Sequence, residues 1–389
     1  MKRMTTKTLA ALSIALGLCG AQAAFCADLP KTSLQVVGNL GITTQYKEIE
    51  APFWNKDIPA ASGGAITASI KPWNEMGLKG PEVFKLLRQG VFDVGTTQMG
   101  FMAGDAPIND ATDLAGVSPT IEVFTQVTEA FRPTIENYYA KQQGIKVLGL
   151  WSYQAQVLYC NKELKGLADL KGRKVRVSGA SQADFIGYFG GSGINMPFGE
   201  VQHGLQTGVI DCAITGTLGG YKAKWYEGAK YLYPLAINWG AAISAMNMKR
   251  WNALDPAVQT LLVSEYGKLE QAILEQNIRE NDIGLACNTG SAPCPEGDPA
   301  AMVLVPVTDA DLDLRRKALL EHVLPRWAER CGADCARTWN EAVGKVVDLT
   351  AKAKRPQAAI LLQGDEHEAS MARPRRARAD GGQPGRPAR

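Results

Sequence analysis

The stretches EVFKLLRQGVFDVGTT (82–97) and EVQHGLQTGVIDCAIT (200–215) superpose at a constant offset and share Glu, Val, Leu, Gly, Val, Asp and Thr. Each reads as a run of helix formers, then a glycine, then a short apolar segment. Gly90 and Gly208 stand where a helix end needs a left-handed residue. Val91-Phe92 and Val209-Ile210 are expected to begin a strand, with Asp93 and Asp211 directly after. An αβ unit of this kind builds a mostly parallel sheet covered by helices. Two copies this far apart predict two similar α/β domains, because the period is too long for a stacked solenoid.

The flanking sequence extends both halves. SLQVVG (33–38) and AITASIK (65–71) read as strands before the first copy, and KVRVSG (174–179) before the second, followed by the helix-like SQADFIGYFGG (181–191). KVLGLWSYQAQVLYCNK (146–162) and AAISAMNMKRW (241–251) are β-rich runs between the halves, and two extended crossings make a hinge. Asp255-Pro256 is an N-cap and first-turn pair. It opens a helix expected over 256–282, with Val258, Leu261, Leu262, Leu269 and Ile273 as its apolar stripe. At ~1.5 Å per residue such a helix is long enough to run across both domains. Further helices are expected near 309–320 and 337–352. The expected division is residues 28–153 with 241–254 for the first domain, and 154–240 with 255–354 for the second.

The ends differ in kind. Lys2, Arg3 and Lys7 precede an apolar run from Leu9 to Leu18 that is too short to span a bilayer, and Ala21-Gln22-Ala23 follows as a small-x-small cleavage pattern. This predicts a signal peptide over 1–23, its end uncertain to 27, and a periplasmic protein. Residues 355–389 hold seven arginines against four acids with almost nothing to bury, so a disordered basic extension is expected. The two ends account for the net charge of +3, leaving a mildly acidic body. That balance argues against nucleic acid as a partner. Export permits disulfides. Cys287 with Cys294, and Cys331 with Cys335, are spaced for local bridges, while Cys160 and Cys212 read as buried thiols or a bridge.

In open α/β sheets, ligands bind outside the carboxyl ends of the strands. If two such domains face each other, both sets of strand ends meet in one cleft, and Thr97 and Thr215 fall at matched positions in it. Taken singly, a threonine there more often caps a turn. Enzymatic chemistry finds little support. None of the three histidines, His203, His322 and His367, neighbours a G-x-S-x-G elbow or an H-E-x-x-H spacing. GGSG (190–193) lacks the lysine of a phosphate loop.

LADLKGRKVRVSG (167–179), then MPFGEVQHGLQTGVIDCAITG (196–216), then WNALDPAVQTLL (251–262) resemble, in this order, the DctP-like solute-binding proteins of tripartite ATP-independent periplasmic (TRAP) transporters. The resemblance covers most of residues 33–285. It implies a two-domain binding protein that closes around a small organic acid and delivers it to membrane permease subunits, with transient contact at the membrane surface. It also implies that Arg176, the Arg of K-x-R-V, binds the ligand carboxylate, a role suited to the planar guanidinium fork.

Two departures bear on the ligand. Cys212-Ala213-Ile214-Thr215 replaces the family's Gln-Glu-Asn, and Gln156 stands where many members carry a second arginine in the hinge strand. One arginine suits a monocarboxylate better than a dicarboxylate. Asn39, Trp73, Gln98, Trp151, Gln154 and Trp239 are further cleft candidates. The three tryptophans offer surfaces for an aromatic or otherwise apolar acid, although a tryptophan more often packs a core or hinge. Some members hold a cation beside a keto acid, but no acidic cluster in these segments demands one, and no cofactor is expected. A binding protein serving a sensor or an ATP-driven importer is the nearest alternative, and an exported α/β hydrolase the weakest.

Overall fold

A computed structural model describes residues 29–353; the expected signal peptide and basic tail lie outside the described residues. The strands in chain order are β1 (Thr32–Gly38), β2 (Ile66–Pro72), β3 (Val94–Gln98), β4 (Ile145–Trp151), β5 (Gln156–Cys160) and β6 (Lys174–Val177). They continue with β7 (Ser192–Asn195), β8 (Cys212–Gly216), β9 (Tyr231–Asn238), β10 (Ala242–Asn247) and β11 (Val303–Leu304). They form two sheets, β2-β1-β3-β10-β4 and β11-β9-β5-β8-β6-β7.

The sheets repeat one plan. In the first, β2, β1 and β3 are parallel, and β10 then β4 follow with antiparallel pairing. In the second, β7, β6 and β8 are parallel, and β5 then β9 follow with antiparallel pairing. Beside each repeat strand, β3 or β8, lies a strand reached by crossing from the other lobe: β10 arrives after the second lobe and β5 before it. The run 146–162 is thus two strands in two sheets, joined by residues 152–155. The second crossing is residues 239–241, at the start of the run expected to make it.

The repeated sequence builds the same joint twice. Gly90 and Gly208 end their helices, Gly80–Gln89 and Val201–Thr207, with φ of 75° and 72°, angles open to glycine at little cost. The strands start after the aspartates rather than before them, at Val94 and Cys212. Val91 and Val209 face solvent, and each aspartate is engaged with the neighbouring strand. Asp93 Oδ2 accepts from Gln35 N at 2.8 Å, and Asp211 Oδ2 accepts from Lys174 N at 2.9 Å. The backbone answers in both lobes, Asp93 N donating to Gln35 O and Asp211 N to Lys174 O. Even the counter-ions match: Arg250 on Asp93, Lys162 on Asp211.

The long helix runs from Pro256 to Thr289, beyond the expected Asp282, with Asp255 capping its start by accepting from Ala257 N. Val258, Leu262, Tyr266, Leu269 and Ile273 pack into the core of the first sheet with Leu34, Trp54 and Val94. Leu261 is only partly buried. Its far end lies on the second lobe, where Gly284 approaches the backbone of Thr217 and Leu218 too closely for any side chain. The helix expected to run across both domains thus packs on both. The C-terminal helices also reach back: Trp327 Nε1 donates to Pro107 O and Trp339 Nε1 to Ala111 O, both at 2.8 Å.

All three cysteine pairs are bridged: Cys160–Cys212, Cys287–Cys294 and Cys331–Cys335. The first joins directly opposed residues of β5 and β8, which decides the open alternative for that pair in favour of a bridge. Among the described residues no helix is long and apolar enough to cross a membrane.

Candidate functional site

The chain ends of β3, β6 and β8 converge on a chamber between the lobes. An inner part of about 40 Å³ is lined by Gln98 and Trp73 from the first lobe, Gln154 from the first crossing, and Gln156, Arg176, Phe198 and Thr215 from the second lobe. It opens onto an outer part of about 560 Å³ with which it shares Leu40, Trp73, Phe101 and Phe198. The lobes touch beside it: a Cβ on Gly179 would stand 2.8 Å from Gly100 O, and Gln98 Nε2 donates to Ser178 Oγ at 3.4 Å.

Arg176 is the charged group of the inner chamber, and its surroundings fix it. Nε donates to Met196 O at 3.1 Å and Nη1 to Ile214 O at 2.8 Å. The rings of Trp225 and Phe198 lie 5.7 and 5.9 Å from its guanidinium carbon. Both contacts hold the plane without neutralising it. Among the described residues no carboxylate pairs with this arginine, which is 2% exposed, and burial pushes its pKa down to about 10. A buried cation without a counter-ion is costly, and an anion brought to its remaining Nη2 edge offsets that cost.

Of the residues expected in the cleft, Trp73, Gln98, Gln154, Gln156, Arg176 and Thr215 line the inner chamber together. Four do not. Thr97 is fully buried and donates to Gly80 O, because alternation along β3 turns it toward the helix and leaves Gln98 facing inward. Asn39 is tied by its backbone N–H to Glu50 and by its amide to Gln45. Trp151 donates its indole N–H to Gln45 and packs in the first-lobe core. Trp239 donates its indole N–H to Ser118 O, behind the second crossing.

The sequence reading missed Tyr153, Phe198, Trp225 and Glu280. Phe198 lies inside the motif that begins the second repeat, and its aromatic character beside a strand end was the available signal. Glu280 gave none: it sits on the long helix, 126 residues from the Gln154 amide whose hydrogen bond it accepts.

Buried acids surround the hinge. Asp113 accepts from Asn238 Nδ2, Trp239 N and Ala241 N at 2.7, 2.8 and 2.9 Å, clamping the second crossing. Burial raises its pKa to about 6 despite these donors. Burial raises Glu50, Asp110 and Glu280 to about 7. Carboxyls raised in the folded state bind protons that the unfolded chain has released. Their contribution is fully present below pH ~4 and is lost as pH rises through 6 and 7. The unliganded protein is therefore expected to melt on the order of 5 °C higher at pH 5 than at pH 8. A melting temperature that rises across this interval contradicts the assignment.

A family model described as "Bacterial extracellular solute-binding protein, family 7" matches residues 41–286. The chain is 24% identical over 282 residues, 69% of its length and 83% of the relative's, to the 2,3-diketo-L-gulonate-binding periplasmic protein of Escherichia coli K12. It is similar to the solved structure of a Bordetella pertussis extracytoplasmic solute receptor binding pyroglutamic acid, with TM-score 0.69 and 20% identity over 80% of this chain and 99% of that one. It also resembles a TRAP periplasmic solute-binding protein from Desulfovibrio salexigens with bound orotic acid, with TM-score 0.72 and 17% identity over 81% and 99%. The two lobes, the swapped crossing strands and a family match over more than half its length agree: this chain belongs to family 7 of the bacterial extracellular solute-binding proteins, which are receptors and not enzymes.

Proposed function

We propose that this receptor captures a small organic acid bearing one carboxylate, closes its lobes around it and presents the closed form to the membrane permease of a TRAP-type secondary transporter. The observation that carries the reading is Arg176, a buried cation without a counter-ion among the described residues, at the meeting point of both lobes. The other inner-chamber residues are uncharged, with Gln156 where a second arginine would stand. A second carboxylate on the ligand would be desolvated there without compensation.

The mechanism is closure by differential affinity. An acid bound only to Arg176 holds one lobe. Once Gln98 and Trp73 of the first lobe also contact it, the closed arrangement gains what the open one lacks. Pyroglutamate and orotate, the ligands of the two solved relatives, are each ring compounds with one carboxylate, and they make sensible first probes here.

A thermal-shift panel of organic acids tests the reading. A ligand at about 100 times its Kd adds roughly 2.7 kcal/mol of stability, an easily read shift. Monocarboxylates are expected to shift the melting temperature and C4 dicarboxylates to leave it unmoved. A succinate hit would overturn the one-carboxylate assignment.

A further inference from the structure

Resting on the reading of the chamber as a carboxylate site, we infer that the inner chamber demands hydrogen-bond donors from its ligand: besides one carboxylate the acid carries N–H or O–H groups, because Gln98, Gln154 and Gln156 each turn an unpartnered amide oxygen to it. The orientation of an amide is settled by what its nitrogen must serve, and here each nitrogen gives at least one N–H to a protein acceptor.

Gln156 Nε2 donates to the backbone oxygen of Gln154 at 2.8 Å, a group that can only accept. Gln154 Nε2 faces two acceptors. One is the Glu280 carboxylate. The other is Asn277 Oδ1 at 3.4 Å, whose own amide is fixed because Asn277 Nδ2 donates to Ser152 O at 2.6 Å.

Gln98 is set by a longer relay. Ser178 N donates to Gln182 Oε1 at 2.8 Å, and the Ser178 hydroxyl donates to the same oxygen at 3.1 Å. Ser178 Oγ must then accept from Gln98 Nε2. Gln182 Nε2 donates to Asn238 Oδ1 at 2.9 Å, and Asn238 Nδ2 to the Asp113 carboxylate. Each chain is anchored on a backbone group whose role cannot invert: Gln154 O for Gln156, Ser152 O through Asn277 for Gln154, and Ser178 N through Gln182 for Gln98.

Among the described residues no group donates to the three remaining amide oxygens, and the side chains that carry them are buried apart from their contact with the chamber. Thr215 adds a hydroxyl that can rotate to either role. The chamber therefore presents one cation and three amide acceptors, with the Tyr153 hydroxyl as a further group able to take either role. A hydroxy acid or a lactam acid satisfies that set. A keto acid or a lactone acid of the same shape brings oxygen lone pairs against oxygen lone pairs. Asp113 and Glu280 act as positioning residues, holding amides that meet the ligand.

Isothermal titration of the full-length receptor with matched acids tests this. Pyroglutamate is compared with 5-oxotetrahydrofuran-2-carboxylate, which has a ring oxygen in place of the N–H, and lactate with pyruvate. The donor-bearing member of a pair is expected to bind at least tenfold more tightly, since an unpaired buried polar group costs about 1–3 kcal/mol. In Glu280→Gln the partner of the Gln154 amide can donate as well as accept, so discrimination within a pair is expected to shrink at least threefold. A purely structural defect would instead weaken both members alike. Equal or inverted preference in the unsubstituted protein, or binding confined to donor-free acids, overturns the inference and leaves the carboxylate site standing. Silence from every acid overturns both.

Discussion

Arg176→Met is expected to weaken binding of the carboxylate ligand by about 10–150-fold, the equivalent of the 1.5–3 kcal/mol carried by a hydrogen bond to a charged group. Methionine is the informative replacement because it keeps apolar bulk between Phe198 and Trp225 while removing the charge. Alanine would add a cavity to the effect. Two backbone carbonyls, of Met196 and Ile214, lose their donor in this variant. The unliganded melting temperature and circular dichroism are therefore read first, and titration follows well below the transition. Arg176→Lys keeps a positive charge but not the planar fork, and is expected to fall between the two. Unchanged affinity in a folded Arg176→Met protein would remove this residue from the site.

Gly179→Val is expected to lower affinity at least tenfold by a different route. Gly179 is extended, with φ of −170°, so a side chain is compatible with its own backbone. What opposes one is the other lobe: a Cβ would meet Gly100 O at 2.8 Å and Gly100 C and Cα at 3.2 and 3.3 Å. These are backbone atoms that no rotamer change can move aside. A wedge placed there acts on the closed arrangement and spares each lobe, so the unliganded variant should melt within about 1 °C of the parent while ligand-induced stabilisation shrinks. Small-angle scattering at saturating ligand should give a larger radius of gyration than the parent. Parent-like affinity with a parent-like radius would mean that the lobes do not need to meet at this point.

The fold was largely legible because its main joint is written twice. The helix, left-handed glycine and aspartate of residues 82–93 recur at 200–211, and each part has a local physical reason to be there. The strand boundary was misjudged by three residues, from Val91 to Val94, since the hydrogen bonds of Asp93 to Gln35 link positions 58 apart and leave no local trace.

Within the site, strand ends were the useful guide. They pointed to Arg176, Thr215 and Gln98. They could not say which face of β3 the side chain at position 97 would take. Trp151 and Trp239 look alike in sequence to a stacking residue, but their indole N–H groups are claimed by Gln45 and Ser118, over a hundred positions away. Of the rings that hold Arg176, Trp225 was equally hidden, because it meets the guanidinium only after the second sheet has assembled.

The helix Pro256–Thr289 serves both cores, its first half packed on Leu34 and Trp54 and its end pressed against Thr217 and Leu218. A rod clamped at two places cannot pivot like a loop; when the lobes part it has to flex in the span between the clamps, around Asn277 and Glu280. That span also supports the amide of Gln154. Bending of one helix is thus coupled to the condition of the ligand pocket. An environment-sensitive fluorophore on the outer face of this span, for instance at exposed Ile278, would turn the receptor into a sensor whose signal follows occupancy without touching the pocket itself.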